Sequence, residues 1–199
     1  MRRLALATIA VLVCGVGFAM HERKAALEGR LGDVATELGR RHVHVHCQSF
    51  GGALIDVSNE AGYVEFDASG IPKDYTVLKR PICHALQRFP RERRTPAFGC
   101  VYTLGDCPQN IFEDVLAVHT LAHETWHLHG YLQEARTECN ALQTTAQAAM
   151  LFGADARTAQ AIAYYVWKKV YPYEPDDYRL ADCVNGGPYD LRPADPVWP

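Results

Sequence analysis

No C-x-x-C pair occurs in the chain, although it carries seven cysteines. That removes the usual cysteine-built zinc site, whose ligands come in closely spaced pairs. No excess of one charge is present either: 20 Lys and Arg stand against 23 Asp and Glu, a net charge of -3. A chain so nearly balanced has no general attraction for a phosphate backbone, and no nucleic-acid partner is expected. The one basic cluster, RFPRERR at Arg88 to Arg94, is interrupted by Pro90 and reads as a solvated loop. Internal repeats and low-complexity tracts are lacking, which excludes a solenoid or a disordered array. What remains is a globular composition, 48% apolar and 22% charged over 199 residues. That is enough for one ordinary domain with a short appendage.

The appendage lies at the start. Arg2 and Arg3 precede LALATIAVLVCGVGFAM, a run without charge at residues 4–20. A positive start followed by an apolar stretch marks an export segment. The run is long for a cleaved signal and slightly short for a comfortable membrane span. Gly17 and Ala19 are small enough to allow cleavage after Ala19. A cleaved signal peptide and a retained membrane anchor both stay open, and either exports the remainder. Residues 1–20 are therefore read as signal or anchor, 21–40 as a helical stalk or linker, and 41–199 as the domain. The cysteines agree. Beyond Cys14 come Cys47, Cys83, Cys100, Cys107, Cys139 and Cys183, an even six that supports up to three disulfides in an oxidising compartment. The expected location is secreted, or membrane-anchored and facing outside the cytoplasm.

Along the chain, Leu27, Leu31, Val34 and Leu38 recur at helical spacing, and their charged neighbours suggest a solvent-facing linker closed by Gly39. From residue 41 to about 75 the pattern shortens to β-like pieces, HVHVHC, GALIDV and GYVEFD. His42, His44 and His46 would share one strand face, a row that could form a second metal site but more often is a solvated or edge face. A short helix is expected from near Pro81, then a loop pinned by Cys100 and Cys107. The second half is helical. Asn110 with Glu113 has the look of a helix start, and Gly130 of its end. A second helix should span 132–152 before Gly153, and a third should run from Asp155 to about Val170, stopped by Pro172. The proline-rich tail should be irregular and tied down by Cys183. The fold class is α+β, a small strand-rich N-terminal part with a helical core, stabilised by disulfides.

Within VLAVHTLAHETWHLHG (115–130), four histidines and a glutamate interrupt an apolar run. Buried ionisable groups are costly unless something pairs with them. His123-Glu124-Thr125-Trp126-His127 is an H-E-x-x-H pattern. On a helix, positions four apart lie about 40° apart around the axis and one turn along it. Both imidazoles can then reach one zinc ion at about 2.0–2.1 Å, with Glu124 placed as the base for an activated water. A catalytic site needs a third ligand. The longer pattern H-E-x-x-H-x-x-G-x-x-H fits as far as Gly130 but ends at Gln133, a poor zinc ligand. Downstream, Glu138 has enough intervening chain to come back alongside the first helix, and is preferred as the third ligand. Glu134, nearer the turn, is the alternative ligand or an acceptor that orients His123 or His127. His119 is one turn before His123, too far along the axis to join His127 on one ion, and can only line the site or the helix face. His129 points elsewhere and reads as polar surface. Tyr164, Tyr165 and Tyr171 are available as donors to a developing oxyanion, with nothing to select among them.

HETWH followed by ECNAL resembles the layout of compact zinc metallopeptidases of the gluzincin type, the ImmA/IrrE-like group. The resemblance covers residues 121–142, about a tenth of the chain. It implies a zincin-like core, a zinc cofactor held by His123, His127 and Glu138, Glu124 as base, and a peptide or protein substrate. Two alternatives stand beside it: an exported metal-binding or structural protein without turnover, and a zinc amidase acting on cell-wall material.

Overall fold

Helices carrying one apolar face, plus one short sheet, account for the core. The computed structural model describes residues 2–49, 60–195 and 197–199, with side chains from residue 21 onward. In chain order the elements are α1 (Arg2–Gly39), β1 (His44–Cys47), β2 (Gly62–Phe66), β3 (Pro72–Leu78), α2 (Arg80–Glu92), α3 (Gly99–Thr103), α4 (Gln109–Leu128), α5 (Glu134–Leu151) and α6 (Ala156–Lys169), then an irregular tail with two short 3-10 turns. This is the α+β class expected. The GALIDV piece lies outside the described residues, and so do the side chains of the apolar run at 4–20. Among the described residues no helix is long and apolar enough to cross a membrane.

The second half of α1 is not a solvent-facing linker. Leu31, Val34 and Ala35 are buried in the common core. Glu28 Oε1 accepts from the Cys47 amide at 2.6 Å, and Thr36 Oγ1 accepts from the Val43 amide at 3.2 Å. The apolar stripe that looked like half a stalk is the face that covers β1, and the charged residues are its outer side.

The sheet has the order β1-β3-β2, with β1 parallel and β2 antiparallel to β3. Val43, Val45 and Cys47 point into the core, while His44 and His46 point outward, as a period of two requires. Sequence patterning does not single out β3, because its first half, Pro-Lys-Asp, is polar and exposed.

α2 opens with Pro81 in its first turn, where the missing N–H costs nothing. It continues through Pro90 to Glu92, so the basic cluster is mostly helix rather than a solvated loop. Arg88 is committed: its Nε donates to Asp114 Oδ1 at 2.8 Å and its guanidinium also reaches Glu113 and the Asn110 carbonyl. Glu113 is thereby drawn away from the capping role expected of it. α4 begins at Gln109 with Pro108 at the cap, two residues ahead of the expected cap Asn110, and has no side-chain cap bond. Its end at Gly130 (φ +89°) and that of α5 at Gly153 (φ +85°) follow the sequence reading. Asp155 caps α6, accepting from the Thr158 amide at 2.9 Å. α4 and α5 run antiparallel, as the pairs His127–Glu134 and His119–Thr145 require.

Three disulfides join β1 to α2 (Cys47–Cys83), close the loop around α3 (Cys100–Cys107) and tie α5 to the tail (Cys139–Cys183). Such usage fits an oxidising compartment outside the cytoplasm. The last bridge spans 44 residues. Replacing both Cys139 and Cys183 by Ala should cost about 2–4 kcal/mol by freeing the unfolded chain. A urea titration reads this as a lower midpoint; an unchanged midpoint would show that the tail is held by other contacts, such as the Gln143 side chain on Tyr189 and Leu191.

Candidate metal centre

α4 is covered by α2, α5, α1 and the sheet, so its polar side chains must find partners within the protein or face a cavity. His119, His123, Glu124 and His127 are none of them more than 8% exposed. All four line one cavity of about 780 Å³, closed by β2 on one side and by Pro175 and Tyr178 of the tail on another.

The two rings of the H-E-x-x-H pair face one point. His123 Nε2 and His127 Nε2 are 3.0 Å apart, and Glu134 Oε2 lies 3.1 and 3.2 Å from them. Their outer nitrogens are occupied. His127 Nδ1 is 2.7 Å from the Tyr131 carbonyl, which only accepts, so that nitrogen carries the hydrogen. His123 Nδ1 is 2.8 Å from Glu138 Oε2, another acceptor. With the Nδ1 positions of both rings occupied, two Nε2 atoms and a carboxylate oxygen converge, an arrangement that repels unless a positive charge, a proton or a metal ion, sits among them. Three ligands at zinc bond lengths of about 2.0–2.1 Å in a tetrahedron are roughly 3.3 Å apart. The donor set therefore fits zinc: two imidazoles, one carboxylate, and a fourth position facing the cavity.

The geometry exchanges the places expected of the two glutamates. Glu134 lies at the convergence point, and Glu138 lies behind His123. The reason is the turn. Gly130, in the left-handed region, lets the chain reverse within three residues, so α5 starts at Glu134 itself, level with His127. Glu138, one turn on, falls level with the far side of His123, where it bonds Nδ1 and, through Oε1 at 2.8 Å, His119 Nε2. Such a carboxylate on the outer nitrogen fixes the tautomer and orientation of a ligating ring. His119 is buried on the cavity wall, held between Glu138 and Thr145 Oγ1. His129 is exposed and stacked near Trp126, as expected of polar surface.

Charge follows this layout. Burial alone would lower the pKa of His123, but the hydrogen bonds to Glu134 and Glu138 outweigh it and raise it to about 10. In the absence of a metal, a proton on His123 supplies the positive charge that the cluster demands, and a bound metal ion would displace it. Burial works to raise both glutamates, yet the adjacent histidines win, holding Glu134 at about 2 and Glu138 well below the ordinary carboxylate range. Glu124 behaves oppositely. Burial raises its pKa to about 7 against the lowering effect of His123 and His127. Its Oε2 is 3.4 Å from Thr76 Oγ1, and β2 approaches it at Gly62, where a Cβ would come within 2.9 Å of Oε1.

None of the three tyrosines named as donors lines the cavity. Tyr164 is exposed, Tyr165 is buried elsewhere, and the Tyr171 hydroxyl is bonded to the backbone of Leu180. Tyr178, which sequence reasoning missed, does. Its ring stacks on His123 with centres 5.8 Å apart and planes 22° apart. Burial and the nearby Glu134 and Glu60 carboxylates raise its pKa, so it keeps its proton. No local motif marks it, because it sits in the irregular tail that the Cys139–Cys183 bridge brings alongside α5.

No protein-family model, curated protein or solved structure matches this chain. The site's own geometry is what speaks for its chemistry.

Separate substitutions divide the two glutamates. Glu134→Ala should leave zinc content near zero after dialysis, by elemental analysis. Glu138→Gln should retain zinc with affinity about 10–100-fold weaker. Zinc kept without Glu134 and lost without Glu138 would restore Glu138 as the ligand.

Proposed function

We propose that this chain is an exported zinc-dependent metallopeptidase, with His123, His127 and Glu134 as metal ligands. The observation that carries the reading is the convergence of two ring nitrogens and a carboxylate oxygen beside Glu124, a carboxyl held near neutrality. When bound there, zinc supplies a Lewis acid that polarises a carbonyl and acidifies water. Glu124, with a pKa of about 7, accepts a proton from the attacking water. As the amide C–N bond breaks, the same carboxyl returns that proton to the leaving amine, so the water is consumed across the bond. Tyr178 is the donor toward the negative charge that builds on the carbonyl oxygen. Glu138, with His119 behind it, holds His123 in the ligating orientation.

A peptide is the substrate class that suits the wall. Among the described residues β2 is an edge strand, and Gly62, Val64 and Phe66 line the cavity beside Glu124. An edge strand offers main-chain groups to an extended peptide, and the apolar side chains offer contact to its residues. The resemblance of HETWH and ECNAL to gluzincin-type peptidases agrees with the chemistry, with the third ligand moved from Glu138 to Glu134.

Glu124→Gln should keep one zinc per chain and lower hydrolysis of a quenched-fluorescent peptide library by 10²-fold or more. Gly62→Ala should keep zinc and reduce kcat, because the added methyl displaces the Glu124 carboxylate. Undiminished activity in Glu124→Gln would remove Glu124 as the base. Full zinc occupancy with no cleavage of any peptide would favour the non-catalytic metal-binding reading, and cleavage of cell-wall amides alone the amidase.

A further inference from the structure

Away from the cavity, three histidines occupy the outer surface of the sheet. His44 and His46 alternate with buried Val45 and Cys47 along β1, and His42 continues the same row two residues earlier. All three are exposed. The centres of the His42 and His44 rings have drawn in to 4.9 Å, while those of His44 and His46, at 6.4 Å, keep the strand spacing. A ring centre lies roughly 3.2 Å from an ion that its nitrogen binds at zinc-like length. Two rings on one ion, at angles between 90° and 180°, therefore have centres roughly 4.5–6.4 Å apart. The His42–His44 pair falls within that range and close to the 4.8 Å of the His123–His127 pair, while the His44–His46 pair stands at its upper limit.

The neighbours are compatible with a cation. Tyr75 of β3 packs on His46 with ring centres 5.6 Å apart. Lys73, whose ammonium lies 5.5 Å from the centre of that tyrosine ring, is paired with Glu65 of β2, so its charge is offset. Imidazole is a ligand that suits copper, nickel and zinc.

We propose that His42, His44 and His46 form a second, surface site for a divalent late transition-metal ion, with His44 as the ligand common to every mode of binding. The strand geometry makes this specific. Residues two apart lie on one side at about 6.6 Å, within reach of one ion, whereas residues four apart lie about 13 Å apart and cannot share one. Removing His42 or His46 leaves an adjacent pair. Removing His44 leaves none.

The test is calorimetric titration of the full chain, loaded with one equivalent of zinc, using Ni²⁺ alone as the probe. One further equivalent of Ni²⁺ is expected. His44→Ala should weaken that uptake at least tenfold, and clearly more than His42→Ala or His46→Ala taken singly. The zinc content and the urea midpoint should stay unchanged, since all three side chains are on the surface. Absence of a second equivalent would overturn the proposal. So would its survival in a variant lacking all three histidines, or equal losses for the three single variants. The readout is Ni²⁺ uptake rather than hydrolysis, so it stands apart from the peptidase reading.

Discussion

Three acceptor atoms, His123 Nε2, His127 Nε2 and Glu134 Oε2, meet at about 3 Å inside the protein. Without a positive charge among them, a proton or a metal ion, they repel, and in a poorly screened interior that repulsion is larger than at a surface. The rest of the site is arranged around this constraint. Tyr131 and Glu138 take the outer ring nitrogens and so force the lone pairs inward. His119 and Thr145 hold Glu138. Tyr178 lies over the His123 ring. A divalent cation held by the three would neutralise the cluster. Hydrogen bonds among these groups let the core keep so many ionisable side chains on α4.

The two carboxylates on either side of this cluster illustrate how environment divides similar groups. Glu134 and Glu138 touch histidines directly and are held ionised. Glu124 has Thr76 and Gly62 beside it, feels its histidine neighbours electrostatically, and is pushed by burial to about 7. An ionised ligand and a carboxyl able to exchange protons near neutral pH are what the proposed hydrolysis requires of them.

Disulfides extend the same logic to the periphery. The tail has little regular structure, yet it contributes Pro175 and Tyr178 to the cavity wall. Cys183 on α5's Cys139, together with Gln143 on the backbone of Tyr189 and Leu191, keeps that irregular chain beside the site. An irregular segment has few backbone bonds of its own to resist fraying, so cross-links take on that task.

Local periodicity was sufficient for much of this. The H-E-x-x-H spacing put two imidazoles and a glutamate on one helix, Gly130 and Gly153 ended their helices, Asp155 capped the next, and six cysteines implied bridges. These depend on residues within a turn or two of one another. Four features did not: the burial of α1, the strand β3, the choice of Glu134 over Glu138, and Tyr178. Each turns on how far-apart segments meet. Whether Leu31 is covered depends on β1, β3 is polar where it begins and is defined by its neighbours, and Tyr178 reaches His123 only through a cross-linked tail. Both glutamates share one helix face, and only the sharpness of the reversal at Gly130 decides which of them stands level with His127 and meets the two rings. Spacing along the chain sets which side chains share a face. The packing of one helix against another sets which of them touch.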